Sequence, residues 1–353
     1  MASKRQTNFE LLRIVAMLMI ITLHYIVKGF AVTNDADRIL MFYAMRLIEA
    51  FCIVAVNCYV LISGYFLVES EWKAGRIISL LAQILFYSLL IPVAMICIGM
   101  LSWSDLGTYD WIGFILPIET EHYWFATSYV IMYIFAPVLA AGARSMNKKT
   151  LQKVILALLL FLSVGKSVFP VYLETDKYGY NYGWFLALFL VAAYLRLYCP
   201  EWLKNRGNAI SIYISSSLCI FALSLIADVL GKKIDAFSYY WEMPYTYNHV
   251  LCLIGSIGLF CAFKNIKISE GKAAGIIRRL APYTFGVYLL HEHILVRYKW
   301  PAWLNVESVR GTWQVLPHMV GCVVIIYLLG TLVDFIRAYF FVRVRKVFTK
   351  FQI

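Results

Sequence analysis

The feature that most constrains the fold of this chain is a series of apolar segments, each about 20 residues long. An α-helix of that length crosses the roughly 30 Å hydrocarbon core of a bilayer. Strands of a membrane barrel would instead alternate over about 10 residues. Only 15% of the residues are charged, against roughly 25% in ordinary soluble domains. The chain is therefore predicted to be an all-α integral membrane protein.

The apolar segments predict a bundle of about ten transmembrane helices that forms a single domain over residues 1–353. No internal repeat is visible, and no loop is long enough to hold a second domain. The predicted spans are approximately 9–29, 39–67, 77–101, 122–143, 151–170, 182–199, 208–230, 246–264, 283–298 and 316–340.

Lysine and arginine are distributed unequally between alternate loops. With Lys4 and Arg5 placed in the cytoplasm, 21 of the 32 basic residues lie on the cytoplasmic side and nine lie opposite. This bias predicts that both termini are cytoplasmic. Most of the net charge of +12 is thus a topology signal, and no nucleic-acid partner is predicted. Attraction of anionic lipid headgroups or of a phosphorylated substrate is a secondary interpretation.

The first span carries Glu10, Arg13 and His24 within its apolar sequence. Arg13 and His24 are eleven residues apart, close to three helical turns, so they share one face about 16 Å apart. Glu10 and Arg13 are three residues apart and can form an ion pair. A single buried histidine often has a structural role, but its position on the face of Arg13 favours a functional one.

Other polar residues lie in or near the later spans. In the second span, Asn57 and Ser63 precede Gly64, and this step is consistent with close helix packing or with ligand access to the backbone. Lys73 and Arg76 begin the third span, where an isolated pair would be a positive-inside anchor.

Aromatic residues cluster near the predicted outer ends of the spans. Most are interpreted as an interfacial belt, and stacking on carbohydrate is the alternative. His122 and Trp124 are two residues apart and lie on different helix faces, whereas Tyr288 and His291 share a face. His291 and His293 do not form the H-E-x-x-H pattern of a zinc site. No nucleotide-binding or serine-hydrolase motif is present, so no metal and no permanently bound cofactor is predicted.

Taken in order along the chain, four motifs resemble the membrane-bound acyltransferase type 3 family. They are the Arg13-x10-His24 helix, the NCYVLISGYFL segment leading to Lys73-x-x-Arg76, HYWF at 122–125 and FGVYLLH at 285–291. The resemblance covers essentially the whole chain and implies a stand-alone member without an added esterase-like domain. The family more often has arginine at the position of Lys73.

The resemblance implies an O-acetyltransferase of the cell membrane. It would transfer an acyl group, usually acetyl, from cytoplasmic acyl-CoA to a hydroxyl of a cell-surface or lipid-linked carbohydrate. Arg13, Lys73 and Arg76 would bind the phosphates of the acyl-CoA. His24 would be either the general base or the nucleophile that carries the acyl group, with Glu10 orienting Arg13.

Several further residues are candidates for contact with the substrate or with the oxyanion of the reaction. They are Asn57, Ser63, His122, Trp124, Tyr288 and His291. A transporter or flippase of a glycan precursor is the competing class, because it would also use buried charges. The order of the motifs, and the lack of paired interrupted helices, favour the acyltransferase. The choice between acetyl and succinyl, the identity of the acceptor and the oligomeric state stay open.

Overall fold

The computed structural model describes residues 6–29, 36–170 and 174–350. Within these ranges the chain is helical and contains no strand, which confirms the prediction of an all-α membrane protein. The basic residues Lys4 and Arg5, used above to orient the chain, lie outside the described residues.

The first half of the bundle is built from eight helices and one π-helical segment, Leu160–Val164, between the last two. The helices are α1 (Thr7–Gly29), α2 (Ala36–Cys52), α3 (Ala55–Leu67), α4 (Ala74–Cys97), α5 (Thr108–Ile115), α6 (Trp124–Ser145), α7 (Lys148–Leu159) and α8 (Gly165–Val168).

The second half contains eight more helices, joined by short 3-10 turns. They are α9 (Tyr182–Tyr198), α10 (Arg206–Gly231), α11 (Tyr239–Glu242), α12 (Val250–Lys264), α13 (Lys272–Leu280), α14 (Thr284–His291), α15 (Trp300–Trp303) and α16 (Val315–Lys350).

Among the described residues, eight segments have the length and hydropathy to cross a membrane, fewer than the ten predicted. The predicted sixth span corresponds to α9, a shorter apolar helix of 17 residues. The predicted ninth span contains α14, which has only eight residues and ends at His291. A helix of eight residues is about 12 Å long and cannot cross the bilayer core. The residues that follow, 292–299, form turns instead of continuing the helix. Hydropathy therefore overestimated the length of the helix in this predicted span.

Helix α1 lies at the centre of the bundle. It contacts α2, α3, α12, α13, α14 and α16. Its residues Leu12, Ala16, Ile21 and Tyr25 are fully buried. A helix surrounded by other helices must be apolar on most of its circumference. The few polar side chains of α1 are therefore the ones expected to face cavities inside the bundle.

Close helix contact occurs at Gly64 on α3. A Cβ atom at this position would lie 2.9 Å from the Cβ of Ala192 on α9, so no larger residue fits without movement. Small residues at such crossings let two helix backbones approach in a membrane. The Ser63-Gly64 step had two interpretations, close helix packing and ligand access to the backbone. The contact with Ala192 shows that Gly64 serves close packing.

The two ends of the bundle are distinguished by the loops that meet there. At the end where α1 begins, Asn8 donates to the carbonyl of Phe263 at 3.1 Å, and Arg278 donates to the hydroxyl of Thr7 at 2.7 Å. We call this the amino-terminal end and the other the distal end. The start of α1 therefore lies beside the end of α12 and beside α13.

Candidate active site

The side chain of His24 is bonded to two residues from the other half of the chain. Its Nδ1 lies 3.0 Å from Nε2 of His291 and 3.2 Å from Oε1 of Glu292. Both partners belong to the carboxyl end of α14, because the helix stops at His291 and the chain turns there. The short helix therefore ends at the depth of His24 and presents its last side chains to α1.

These contacts determine which nitrogen of His24 carries the proton. Nδ1 of His291 lies 2.6 Å from the backbone carbonyl of Val287, which can only accept, so this nitrogen holds the hydrogen. In the neutral ring Nε2 of His291 is then an acceptor, and so is the carboxylate of Glu292. Nδ1 of His24 must therefore donate. Its Nε2 keeps a lone pair and has no hydrogen-bond partner among the described residues.

Lys28, one turn after His24 on α1, forms a short ion pair with the same oxygen of Glu292. Donor atoms of His24, His291 and Glu292 lie within 4.8 Å of one another, a spacing that ligands of a metal ion also show. The ammonium group of Lys28 puts a positive charge beside the oxygen that such an ion would need. The arrangement therefore favours a hydrogen-bonded cluster that orients His24.

A small pocket of about 30 Å³ adjoins His24, and we call it the central pocket. This volume holds roughly one water molecule or a group of similar size. Trp124 and Tyr288, two of the predicted substrate or oxyanion candidates, line it. The remaining lining side chains are mainly apolar or aromatic: Met17, Ile20, Val56, Tyr59, Phe125, Tyr247 and Phe285.

Two larger cavities lie on either side of the central pocket along α1. The amino-terminal cavity has a volume of about 710 Å³ and is reached from the amino-terminal end. The distal cavity has a volume of about 530 Å³ and includes Ile26 and Val27, just beyond His24 on the same helix. The central pocket thus occupies the middle of a row of three.

Arginines line the amino-terminal cavity. Arg13 pairs with the buried carboxylate of Glu10 at 2.5 Å, which confirms the predicted ion pair. Arg196, from α9, donates through Nε to Glu69 at 2.8 Å. Arg76 is exposed and also lines the cavity, and its side chain has no salt bridge to another described residue.

Lys73 departs from the expectation for its pair with Arg76. It is the exposed residue that precedes α4, and it does not line the amino-terminal cavity. Residues three apart share a helix face only when both are helical. Lys73 has an extended backbone, so it does not share a helix face with Arg76.

Two predicted oxyanion candidates do not line the central pocket. The side-chain amide of Asn57 is fully buried, donating to the carbonyl of Tyr247 at 2.8 Å and accepting from the indole of Trp184 at 3.0 Å. Ser63 lines the amino-terminal cavity and bonds to the hydroxyl of Tyr129 at 3.1 Å. Asn57 therefore holds Tyr247, which lines the central pocket, in place. Ser63 belongs to the amino-terminal cavity.

His122 also lies away from His24. Its ring packs against that of His293, with 4.5 Å between the centroids, and it does not line the central pocket. Burial, assisted by the charge of Arg297, lowers the pKa of His122 to about 4, so the ring is neutral near neutral pH. This histidine is part of the packing before α6.

Several polar residues that sequence reasoning missed are central to the structure. Glu292 lies between the two histidines of HEH, and the spacing of those histidines alone does not point to it. Lys28 belongs to the basic residues that the charge bias assigns to a loop. Asp334 is fully buried on α16 and accepts from Tyr87 at 3.0 Å and from Arg337 at 2.7 Å. An acid three residues before an arginine was the signal used for Glu10, and it was available here too.

The sequence was compared with models of protein families. A family model described as "Acyltransferase domain" matches residues 6–333, which is nearly the whole chain. No curated protein and no solved structure matches.

Proposed function

Since the chain belongs to the membrane acyltransferase type 3 family, we propose that it transfers an acetyl group from cytoplasmic acetyl-CoA to a hydroxyl of a cell-surface or lipid-linked carbohydrate. Acyl transfer is the activity of the family. The observation that carries the more specific proposal is the lone pair on Nε2 of His24, held beside a small pocket between two larger cavities.

The amino-terminal cavity is the proposed site of the donor. The charge bias of the loops predicts that this end faces the cytoplasm, where acyl-CoA is found. The cavity is lined by Arg13, Arg76 and Arg196. One guanidinium group can donate two hydrogen bonds to two oxygens of the same phosphate. Because Arg13 and His24 are separated by about 16 Å of helix, the long pantetheine arm can carry the thioester to the central pocket.

In the proposed reaction, Nε2 of His24 accepts the proton of the acceptor hydroxyl as its oxygen bonds to the thioester carbonyl carbon. The tetrahedral intermediate then breaks its carbon–sulfur bond, and the leaving CoA sulfur takes the proton from His24. The carboxylate of Glu292 stabilises the imidazolium that forms between the two steps. Tyr288, which lines the pocket, is the proposed donor to the oxyanion.

An acyl-enzyme route uses the same nitrogen. Nε2 of His24 would attack the thioester carbon, and CoA would leave as the thiolate. The acceptor oxygen would then take the acyl group from the imidazole, and the hydroxyl proton would go to the thiolate. The hydrogen bond from Nδ1 to His291 and Glu292 orients the ring for either route.

The proposal is tested by acetyl transfer in membranes that contain the protein or its His24→Ala variant. Labelled acetyl-CoA is supplied, and label in the carbohydrate fraction is measured at equal amounts of protein. We expect His24→Ala to lose at least about a hundredfold in rate, the usual effect of removing a general base. His122→Ala is the control, because this histidine is buried but does not line the pocket. Transfer at the wild-type rate by His24→Ala would refute the mechanism.

A further inference from the structure

The distal cavity has a lining unlike that of the amino-terminal cavity. Aromatic side chains form much of its wall, and their rings surround a space of about 530 Å³. Trp241 stacks on Phe42 with 5.7 Å between ring centroids and 19° between planes. Tyr180 is 42% exposed, so part of its ring is available to a ligand. Ligand sites of this kind combine apolar rings with a few polar groups.

Among the described residues, one arginine, Arg46, lines the distal cavity, and it already has partners. Arg46 donates to Glu49 at 2.8 Å and to the backbone carbonyl of Trp241 at 2.9 Å. Its guanidinium carbon also lies 3.6 Å from the ring centroid of Tyr245. An anionic ligand would therefore have to break this ion pair. Glu242, exposed at the edge of the cavity, adds a second carboxylate.

The rings also connect the distal cavity with the central pocket. Tyr180 lines the cavity and lies 4.5 Å from Trp124 and 4.7 Å from Tyr247, measured between ring centroids. Trp124 and Tyr247 stack on each other and line the pocket beside His24. A ligand in the distal cavity is thus separated from His24 by one layer of aromatic side chains.

We propose that the distal cavity is the acceptor subsite and that it takes an uncharged, hydroxyl-rich sugar. This inference rests on the proposed function. The C–H faces of the sugar pack on Trp241 and Tyr180, and its hydroxyls donate to Glu49 and Glu242. Among the residues that the structure describes, the lining contains no free cation, and this disfavours a phosphate or uronate group in this subsite. One hydroxyl passes Tyr180 to reach Nε2 of His24.

The subsite is tested by measuring the KM for acetyl-CoA and the KM for the acceptor independently. Acetyl-CoA is varied directly, and the acceptor is supplied as serial dilutions of a heat-inactivated extract of membranes that lack the protein. We expect Trp241→Ala to raise the acceptor KM by about tenfold, because a stacked ring is lost, with little change in the acetyl-CoA KM. Tyr180→Ala is the second variant. Trp202→Ala, an exposed tryptophan that does not line the cavity, is the control and leaves both constants unchanged.

Charge reversal at the edge of the cavity tests the class of sugar. With Glu242→Lys, the acceptor KM of a neutral sugar stays the same or rises, whereas that of an anionic acceptor falls several-fold. A fall would overturn the assignment to an uncharged sugar. An acceptor KM that Trp241→Ala and Tyr180→Ala both leave unchanged, with normal transfer, would overturn the subsite alone. No transfer by the wild-type protein would instead contradict the proposed function, and the subsite with it.

Discussion

The two larger cavities at either side of His24 differ in how they use arginine. In the amino-terminal cavity, three arginines line one space, and Arg76 has no ion pair with another described residue. In the distal cavity, Arg46 is held by Glu49 and by an aromatic face. The first arrangement leaves positive charge available to a ligand, and the second does not. The difference matches a polyanionic donor on one side and a neutral sugar on the other.

In the proposed reaction both substrates must reach the central pocket, which differs from the two cavities in one respect. Its histidine is oriented by groups that line neither cavity, Glu292 and His291. Changes at these groups should therefore alter the chemical step and leave both binding constants intact.

The largest effect is expected for Glu292→Gln. The amide has no negative charge to stabilise the imidazolium of His24, so kcat should fall by about a hundredfold, while both KM values change by less than about twofold. Steady-state transfer of labelled acetyl measures this split. Because Lys28 would lose its partner, the double variant Lys28→Met/Glu292→Gln is the control for charge imbalance, and it should stay slow. A kcat near the wild-type value in Glu292→Gln would contradict an orienting role for the carboxylate.

A smaller effect is expected at the amino-terminal cavity. Arg76→Ala should raise the acetyl-CoA KM by about tenfold, because a charge-assisted bond to phosphate is lost, and should leave the acceptor KM unchanged. Lys73→Ala is a closely matched control: the residue is also cationic and exposed, but it does not line the cavity. Its acetyl-CoA KM should change by less than about threefold. Equal effects of the two variants would place the donor phosphates elsewhere.

The smallest effect is that of salt. Raising the ionic strength from about 0.05 M to about 0.5 M shortens the screening length and should raise the acetyl-CoA KM a few-fold. The acceptor KM should not respond, because a neutral sugar makes no long-range charge contacts. Both constants are measured in the same membrane preparation across a potassium chloride series. A parallel rise of the acceptor KM would show that the acceptor is itself charged.

Much of the fold follows from the sequence because the rules involved are local. The apolar segments identify most of the membrane-spanning helices, and the spacing of Glu10 and Arg13 identifies their ion pair. The error at residues 283–298 has a physical cause. Hydropathy reports that a segment is buried in an apolar environment, but α14 is surrounded by protein and ends after eight residues.

The candidate site was recovered only in part. Trp124 and Tyr288 line the pocket with His24, but Asn57, Ser63 and His122 lie elsewhere. Asn57 and Ser63 lie on the same helix as Tyr59, which does line the pocket, so their exclusion depends on which face of α3 meets α9. Gly64 sets that contact, and the sequence indicates close packing at this step as one of two interpretations, but it does not identify α9 as the neighbouring helix.

A membrane-embedded helical bundle, and a helix with an arginine and a histidine on the same face, can both be predicted from the amino-acid sequence. Helical periodicity relates residues within one element, so it can be recognised without knowing any neighbouring element. The surroundings of that histidine depend instead on how distant segments pack. His291 is 267 residues away along the chain, and it reaches His24 because α14 packs against α1 and stops at its depth. The proton on Nδ1, and the free lone pair on Nε2, follow from this contact between distant segments.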